Sequence, residues 1–278
     1  MAKDTTGQPL PPIPAGFQMP FYYGSLTNCE VIYLVDPAVT ARFLNGTGLA
    51  PAIFNGKACA SYNYQLYTAQ FPGGAAITQE IELNIVAYPV ELAAIVAQVT
   101  FEQFVAGDDQ SKLLGHHRVW VPCDSDLAIK AGKELFGEPK FKTSFTVSVP
   151  SLNAPPSQLW DFQCNDPAKP DSAFIFRCQA NVEGLSLSAS NPSPYTEWGK
   201  VEGRLIGCRW NILSPFQTYF IPAAKKAVQL TFGSSSHPMR KDMKDLLGTT
   251  PASVVRTYQS PPAAIQARAW YPVRGAGK

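Results

Sequence analysis

The sequence has no pair of cysteines at C-x-x-C spacing; its six (Cys29, Cys59, Cys123, Cys164, Cys178 and Cys208) are scattered singly along 278 residues. Such spacing builds neither a zinc site nor a dithiol redox centre. Long apolar runs are missing too. The richest, VELAAIVAQV, is broken by Glu91 and Gln98 and falls short of the roughly 18 residues that suggest a membrane span. Charge of one sign is in short supply: 23 basic against 21 acidic residues leave +2, which gives no general electrostatic reason to bind nucleic acid or an anionic membrane. The N-terminus, MAKDTTGQPLPPIPAGF, lacks the apolar core of a secretory signal. Glycine-rich phosphate loops, dinucleotide fingerprints and calcium-loop patterns are absent as well. A cytoplasmic protein with isolated reduced thiols is expected, using no metal and no cofactor.

What the chain has in quantity is breakers: 25 prolines and 20 glycines interrupt it too often for coiled coils or helical bundles. Between them the period is mostly two. Residues 77–87 put Ile77, Gln79, Ile81, Leu83, Ile85 and Ala87 on one face and Thr78, Glu80, Glu82 and Asn84 on the other. Residues 140–149 alternate in the same way, and 58–67 place Ser61, Asn63 and Gln65 on a shared side. Further strands are expected at 29–35, 117–121, 174–178, 203–213 and 253–258. Ser125 or Asp124 caps a helix over about 126–136 with Gly137 as its stop. A second helix follows Ser236, with Pro238 in its first turn and Gly248 past its end.

The pattern predicts an α+β chain, mainly β: a twisted antiparallel sheet curled into a barrel-like core with a few short helices. One domain over 21–259 is expected, preceded by an extended proline-rich arm (1–20) and followed by an irregular tail (260–278). In that tail Trp270 and Tyr271 could dock on the body or on a neighbouring subunit. Loops are expected at 153–158, 165–172 and 188–199.

The segment AIKAGKELFGEPKFKTSF (128–145) carries the most chemistry. It reads as a helix, a glycine stop, a proline, and then Lys140 opening a strand. A rigid strand holds an amine at a set point, as attack on a carbonyl carbon demands; a surface lysine at a strand edge is the plainer alternative. His116 and His117 are adjacent, point to opposite faces and make no metal site by themselves. His237 suits a helix N-cap better than a nucleophile–base pair.

Gly132-Lys133-Glu134-Leu135, three residues, then Pro139-Lys140 resembles the signature of the acetoacetate decarboxylase family, G-[RK]-E-L followed by P-K. The run Gly233-Ser234-Ser235-Ser236-His237 and the early strand EVIYLVD are similar to that family as well, so the resemblance extends in order from about residue 26 to 258. It implies that Lys140 forms an imine with a small oxo acid and that Glu80 is the proton donor. Asn63 or Gln65 would stand where the family has a second acid, with Glu82, Phe141 and Lys142 completing the substrate-binding shell. The expected reaction is decarboxylation of a β-keto acid of the acetoacetate type. The alternatives are aldol addition and dehydration of pyruvate-like acids through the same imine, or a non-catalytic binding protein. A homo-oligomer is expected.

Two positions depart from the family. Phe141 replaces the second lysine, and Leu26 stands where an arginine holds the substrate carboxylate; Arg118, Arg177 and Arg209 are replacements by composition only. With the neighbouring cation gone, a dry pocket is expected to keep the Lys140 amine uncharged. Lys142, on the Lys140 face at period two, is the alternative source of charge.

Overall fold

A computed structural model describes residues 10–153, 158–261 and 264. The chain forms β1 (Tyr22–Val35), α1 (Pro37–Leu44), β2 (Leu49–Pro51), β3 (Ile53–Phe54), β4 (Lys57–Phe71), β5 (Gly74–Pro89), α2 (Phe101–Ala106), β6 (Gly115–Cys123), α3 (Asp126–Phe136) and β7 (Lys140–Lys142). Then follow β8 (Phe145–Ser148), β9 (Leu159–Asn165), β10 (Phe174–Asn181), β11 (Leu187–Ser188), β12 (Tyr195–Val201), β13 (Arg204–Trp210), β14 (Gln217–Phe220), β15 (Val228–Phe232), α4 (Pro238–Leu247) and β16 (Val254–Gln259).

The larger sheet runs β11-β14-β16-β1-β4-β5-β6-β12-β13, with β2, β3 and β7 pairing at its sides; a second sheet runs β15-β10-β9-β8. The expected antiparallel arrangement holds except at β6, which is parallel to both β7 and β12. The reason lies in the connection: β6, α3 and β7 make a β–α–β unit, and a crossover helix returns the chain parallel. Lys140 is thus the first residue after that crossover.

No pairing closes the large sheet into a barrel among the described residues. It is curled nonetheless. β1 and β12 are four strands apart, about 19 Å in a flat sheet, yet Tyr195 of β12 lies within hydrogen-bond reach of Glu30 on β1 and Arg256 on β16.

The two faces of this sheet differ. One carries Val31, Tyr62, Tyr64, Ile81 and Leu83 and packs on Trp160, Phe162 and Phe176 of the second sheet and on Met239 and Met243 of α4. Tyr64 stacks on Phe162 with ring centroids 5.4 Å apart. The other face lines the inside of the curl and is polar in its middle: Asn28, Glu30, Asn63, Gln65, Glu80, Glu82, Asn84, Arg118 and Arg256 are all buried. Apolar clusters bound this band, one around Leu26, Tyr67 and Tyr258, the other around Ile32, Val86 and Val254. Leu26 therefore fills a core position at one edge of the band.

Several expectations need correction. Residues 140–149 are two strands, β7 and β8, in different sheets; the chain changes sheet at Thr143, whose buried hydroxyl donates to the Asn165 carbonyl at 2.7 Å. Ile77 belongs to the apolar row by period but is exposed, because its end of β5 projects beyond the core. The expected loop over 188–199 contains the start of β12. Both helices stand where expected, capped by Ser125 and by His237. Residues 1–9 of the arm, 154–157, and Trp270 and Tyr271 with most of the tail lie outside the described residues. No described helix is long and apolar enough to cross a membrane.

Candidate active site

Lys140 is buried, 7% exposed, and its Nζ lies 2.6 Å from Glu80 Oε2 and 3.3 Å from Glu138 Oε2. Local structure explains the placement. Gly137 ends α3 in the left-handed conformation (φ 65°), which only glycine adopts without strain. The turn that follows is tied back by Glu138 N to Gly132 O at 3.0 Å and by Lys140 N to Glu138 O at 2.8 Å. Gly132 presents a bare backbone to the lysine stem. A Cβ there would collide with Lys140 Cε and Glu138 Oε2 and stand 2.6 Å from Lys140 Cδ. Gly132→Ala suits the helix but pushes the amine aside. It is expected to leave the chain folded and to slow any reaction of Lys140 by about a hundredfold, the usual effect of an ångström-scale misplacement, as measured by single-turnover adduct formation.

Around the amine, β4 and β5 supply an ordered shell. Gln65 Nε2 donates to Glu80 Oε1 at 2.6 Å and to Glu82 Oε1 at 3.1 Å; Tyr67 OH donates to Glu80 Oε2 at 3.1 Å; Asn63 Nδ2 donates to Glu82 Oε2 at 3.0 Å. Arg118 on β6 donates to Asn84 Oδ1 at 3.0 Å, pairs with Glu82 at 2.9 Å and contacts Glu197 of β12. Its Nε, 3.7 Å from Glu138, is buried without a hydrogen-bond partner.

The site thus holds four carboxyls (Glu80, Glu82, Glu138, Glu197) and two cations (Lys140, Arg118). A dry region does not tolerate that excess of negative charge, so protons are retained. Burial, against the opposing pull of Arg118, pushes Glu82 up to about 8. Burial also raises Glu138, against the pull of Lys140. For Lys140 burial acts downwards, but Glu138 and then Glu80 outweigh it and hold the ammonium well above the usual lysine range. The expectation that dryness alone keeps this amine neutral is therefore overturned: the carboxylates beside it win.

The sign for stability follows from Glu82. Its folded pKa lies above the ordinary 4.5, so its contribution is complete below about 4.5 and is lost as pH rises towards 8. Glu82→Gln is expected to flatten the pH dependence of urea unfolding between pH 5 and 8, with its gain over the parent protein greatest at pH 8.

Of the residues singled out in the sequence, Lys140, Glu80, Glu82, Asn63 and Gln65 meet in this cluster. Phe141 and Lys142 do not. Phe141 points to the other face, stacking on His237 with centroids 4.2 Å apart, and Lys142 is exposed in a 3.0 Å pair with Asp126. β7 is only three residues long and leaves the buried band by its last residue, Lys142, so period two does not return that side chain to the site. Arg118 is in the site, whereas Arg177 is exposed and paired with Asp161, and Arg209 is exposed. Sequence reasoning missed Glu138, Glu197 and Tyr67. Glu138, two residues before Lys140 across a proline, was the one with a usable signal.

No protein-family model and no curated protein matches the sequence; the likeness is to solved structures. The enduracididine biosynthesis enzyme MppR, solved in complex with pyruvate, is similar at a TM-score of 0.58 and 13% identity over 92% of this chain and 89% of that one. Acetoacetate decarboxylase from Legionella pneumophila is similar at 0.58 and 11%, over 91% and 88%. An acetoacetate decarboxylase-like enzyme from Sphingomonas wittichii RW1 gives 0.53 and 12%, over 86% and 88%. From β1 to β16, this chain has the acetoacetate decarboxylase-like fold.

Proposed function

We propose that the protein is a cofactor-independent lyase in which Lys140 forms an imine with a small oxo acid. The observation that carries this reading is the buried Lys140 amine held 2.6 Å from Glu80. A lysine kept out of water between carboxylates is poorly explained as packing, since an apolar side chain of the same length would avoid its desolvation. It has a proton acceptor within hydrogen-bond reach.

In the proposed cycle the ammonium passes its proton to Glu80, and the neutral Nζ adds to the carbonyl carbon. Glu80 returns the proton as water leaves, giving a protonated imine. For a β-keto acid the bond to the carboxylate then breaks, its electron pair moves to the iminium nitrogen, and carbon dioxide departs from an enamine. Protonation of the enamine carbon and addition of water release the ketone and restore the lysine. The unbonded Nε of Arg118 is suited to the substrate carboxylate.

One observation favours a second reading, aldol addition and dehydration of a pyruvate-like acid. Glu82, buried next to Glu80 and sharing the Gln65 amide with it (3.1 and 2.6 Å respectively), supplies a second carboxyl for the proton traffic of hydroxyl loss. A cytoplasmic homo-oligomer is proposed as well, in keeping with six free thiols; sedimentation equilibrium checks the subunit number. The test of the main reading is borohydride trapping with acetoacetate and with pyruvate. Mass on the peptide containing Lys140 supports it, and carbon dioxide release separates the two reactions. No adduct with a broad panel of oxo acids leaves only a non-catalytic binding protein.

A further inference from the structure

Tyr23 is the second residue of β1, and period two counted back from Asn28 and Glu30 would put its side chain on the face opposite theirs. A break in register intervenes. Tyr23 faces Ala69 and Ser25 faces Thr68, so Gly24 is an extra, unpaired residue. A bulge of this kind re-aims a side chain, and Tyr23 turns inward with Ala69 and Tyr67. Its ring stands edge-on to Tyr67 with centroids 5.1 Å apart, and 5.6 Å from Trp210 of β13. β1 and β13 are five strands apart, about 24 Å in a flat sheet. Tyr23 and Trp210 therefore meet across the mouth of the curl.

This mouth leads to the amine. Tyr67 donates to Glu80, and Glu80 touches Lys140. Burial first, then Glu80 and Glu197, push the Tyr23 hydroxyl above the usual phenol range, while the residue as a whole is 37% exposed. Tyr23 thus reaches from solvent to the charged cluster.

The chain leading to Tyr23 follows the same rim. Phe17 is buried, with Lys130 Nζ of α3 5.5 Å above its ring. Phe21 packs edge-on against Phe71 at the end of β4 (5.2 Å) and Phe136 at the end of α3 (6.3 Å). Phe136 in turn lines a cavity with Arg118 and Glu138. Among the described residues, 14–21 make one hydrogen bond, the local Phe17 N to Pro14 O contact at 3.3 Å. Aromatic contacts hold this segment, and they part without leaving buried polar groups unpaired.

We infer that residues 17–23 form a cover over the Lys140 site, and that Tyr23, closing against Trp210, is a specificity-determining residue that limits the size of the carbonyl compound reaching the amine. This rests on the imine reading of Lys140 and adds a bound on the substrate's side chain. Lys140 is buried among hydrogen-bonded strands, so a carbonyl carbon reaches Nζ only where the wall yields, and the aromatic cover has the fewest polar ties to break.

The test compares borohydride trapping rates of pyruvate and phenylpyruvate. The parent protein is expected to favour pyruvate, and Tyr23→Ala to reduce that preference about tenfold, within the range for one altered pocket contact. Trp210→Ala, which opens the mouth from the other side, should do the same, and Tyr23→Phe, which keeps the ring, should retain the parent's preference. Equal trapping of both acids by the parent overturns the inference. So does a preference that survives in both alanine variants. Loss of preference in Tyr23→Phe overturns it too, since the hydroxyl and not the ring would then be responsible. Failure of the imine reading looks different: neither acid is trapped in any variant. Access to Lys140 is then judged by reductive alkylation with benzaldehyde and with formaldehyde, read as mass on the Lys140 peptide. A benzaldehyde-to-formaldehyde ratio about tenfold higher in Tyr23→Ala than in the parent supports the cover, and equal ratios overturn it.

Discussion

Lys140→Met is expected to abolish borohydride trapping and to lower kcat on the order of 10⁵-fold, the scale on which loss of a covalent nucleophile is felt. The substitution keeps stem length, so the cavity and Gly132 contact survive and only the amine is lost. It also leaves Glu80 and Glu138 facing each other without their cation. Breaking a buried pair in this way costs about 3–5 kcal/mol, but here protonation offers a way out. With Lys140 gone, Glu138 loses the cation that opposes the effect of its burial and holds a proton more firmly, so the destabilisation is fully present at alkaline pH and fades as the solution is acidified. Urea unfolding at pH 8 and pH 5 should show a large loss at the first and a small one at the second. A lysine that served packing alone would give the unfolding result with no adduct in the parent protein, and that pair of results would sink the assignment.

The legibility of this site in the sequence divides by the range of the interaction that makes each part. Pro139-Lys140 after a capped helix is local chemistry, and it placed the amine correctly. The row Thr78-Glu80-Glu82-Asn84 follows from period two, but periodicity gives only which residues share a face, not whether that face meets water. Here the curl of the sheet decided, enclosing a row that could equally have been a solvated surface. Glu197 was hidden because SASNPSPYTEWG reads as a loop, and β12 begins only at Tyr195. The parallel β6–β7 pairing was missed because three residues are too few to show a strand's partner. The charge on Lys140 was misjudged for the same reason as Glu138 was missed. A burial effect can be guessed from one residue, whereas the opposing effect needs the identity of every neighbour, and one of these sits in a turn that obeys no period.

Glu80 and Glu138 both touch Lys140 Nζ, yet their removal is expected to have opposite signs. Glu80→Gln takes away the group that receives the ammonium proton and returns it, so kcat should fall by about 10³-fold, within the range for loss of a positioned acid–base group. Glu138 accepts no bond from Gln65 or Tyr67; its contact with the amine is a 3.3 Å ion pair. It is the largest of the influences that hold the ammonium proton in place. Without it the burial of Lys140 is less opposed, its pKa falls, and more of the amine is neutral at pH 7. Glu138→Gln should therefore speed the trapping step by about tenfold at pH 7, one pKa unit's worth, and move its pH profile to lower pH. Glu80→Gln should trap slowly at every pH. Stopped-flow mixing with pyruvate, quenched in borohydride across pH 6 to 10, separates the two. Equal slowing in both variants would show that Glu138 helps the reaction rather than restraining it, and that the ammonium is deprotonated by some route other than the 2.6 Å contact with Glu80.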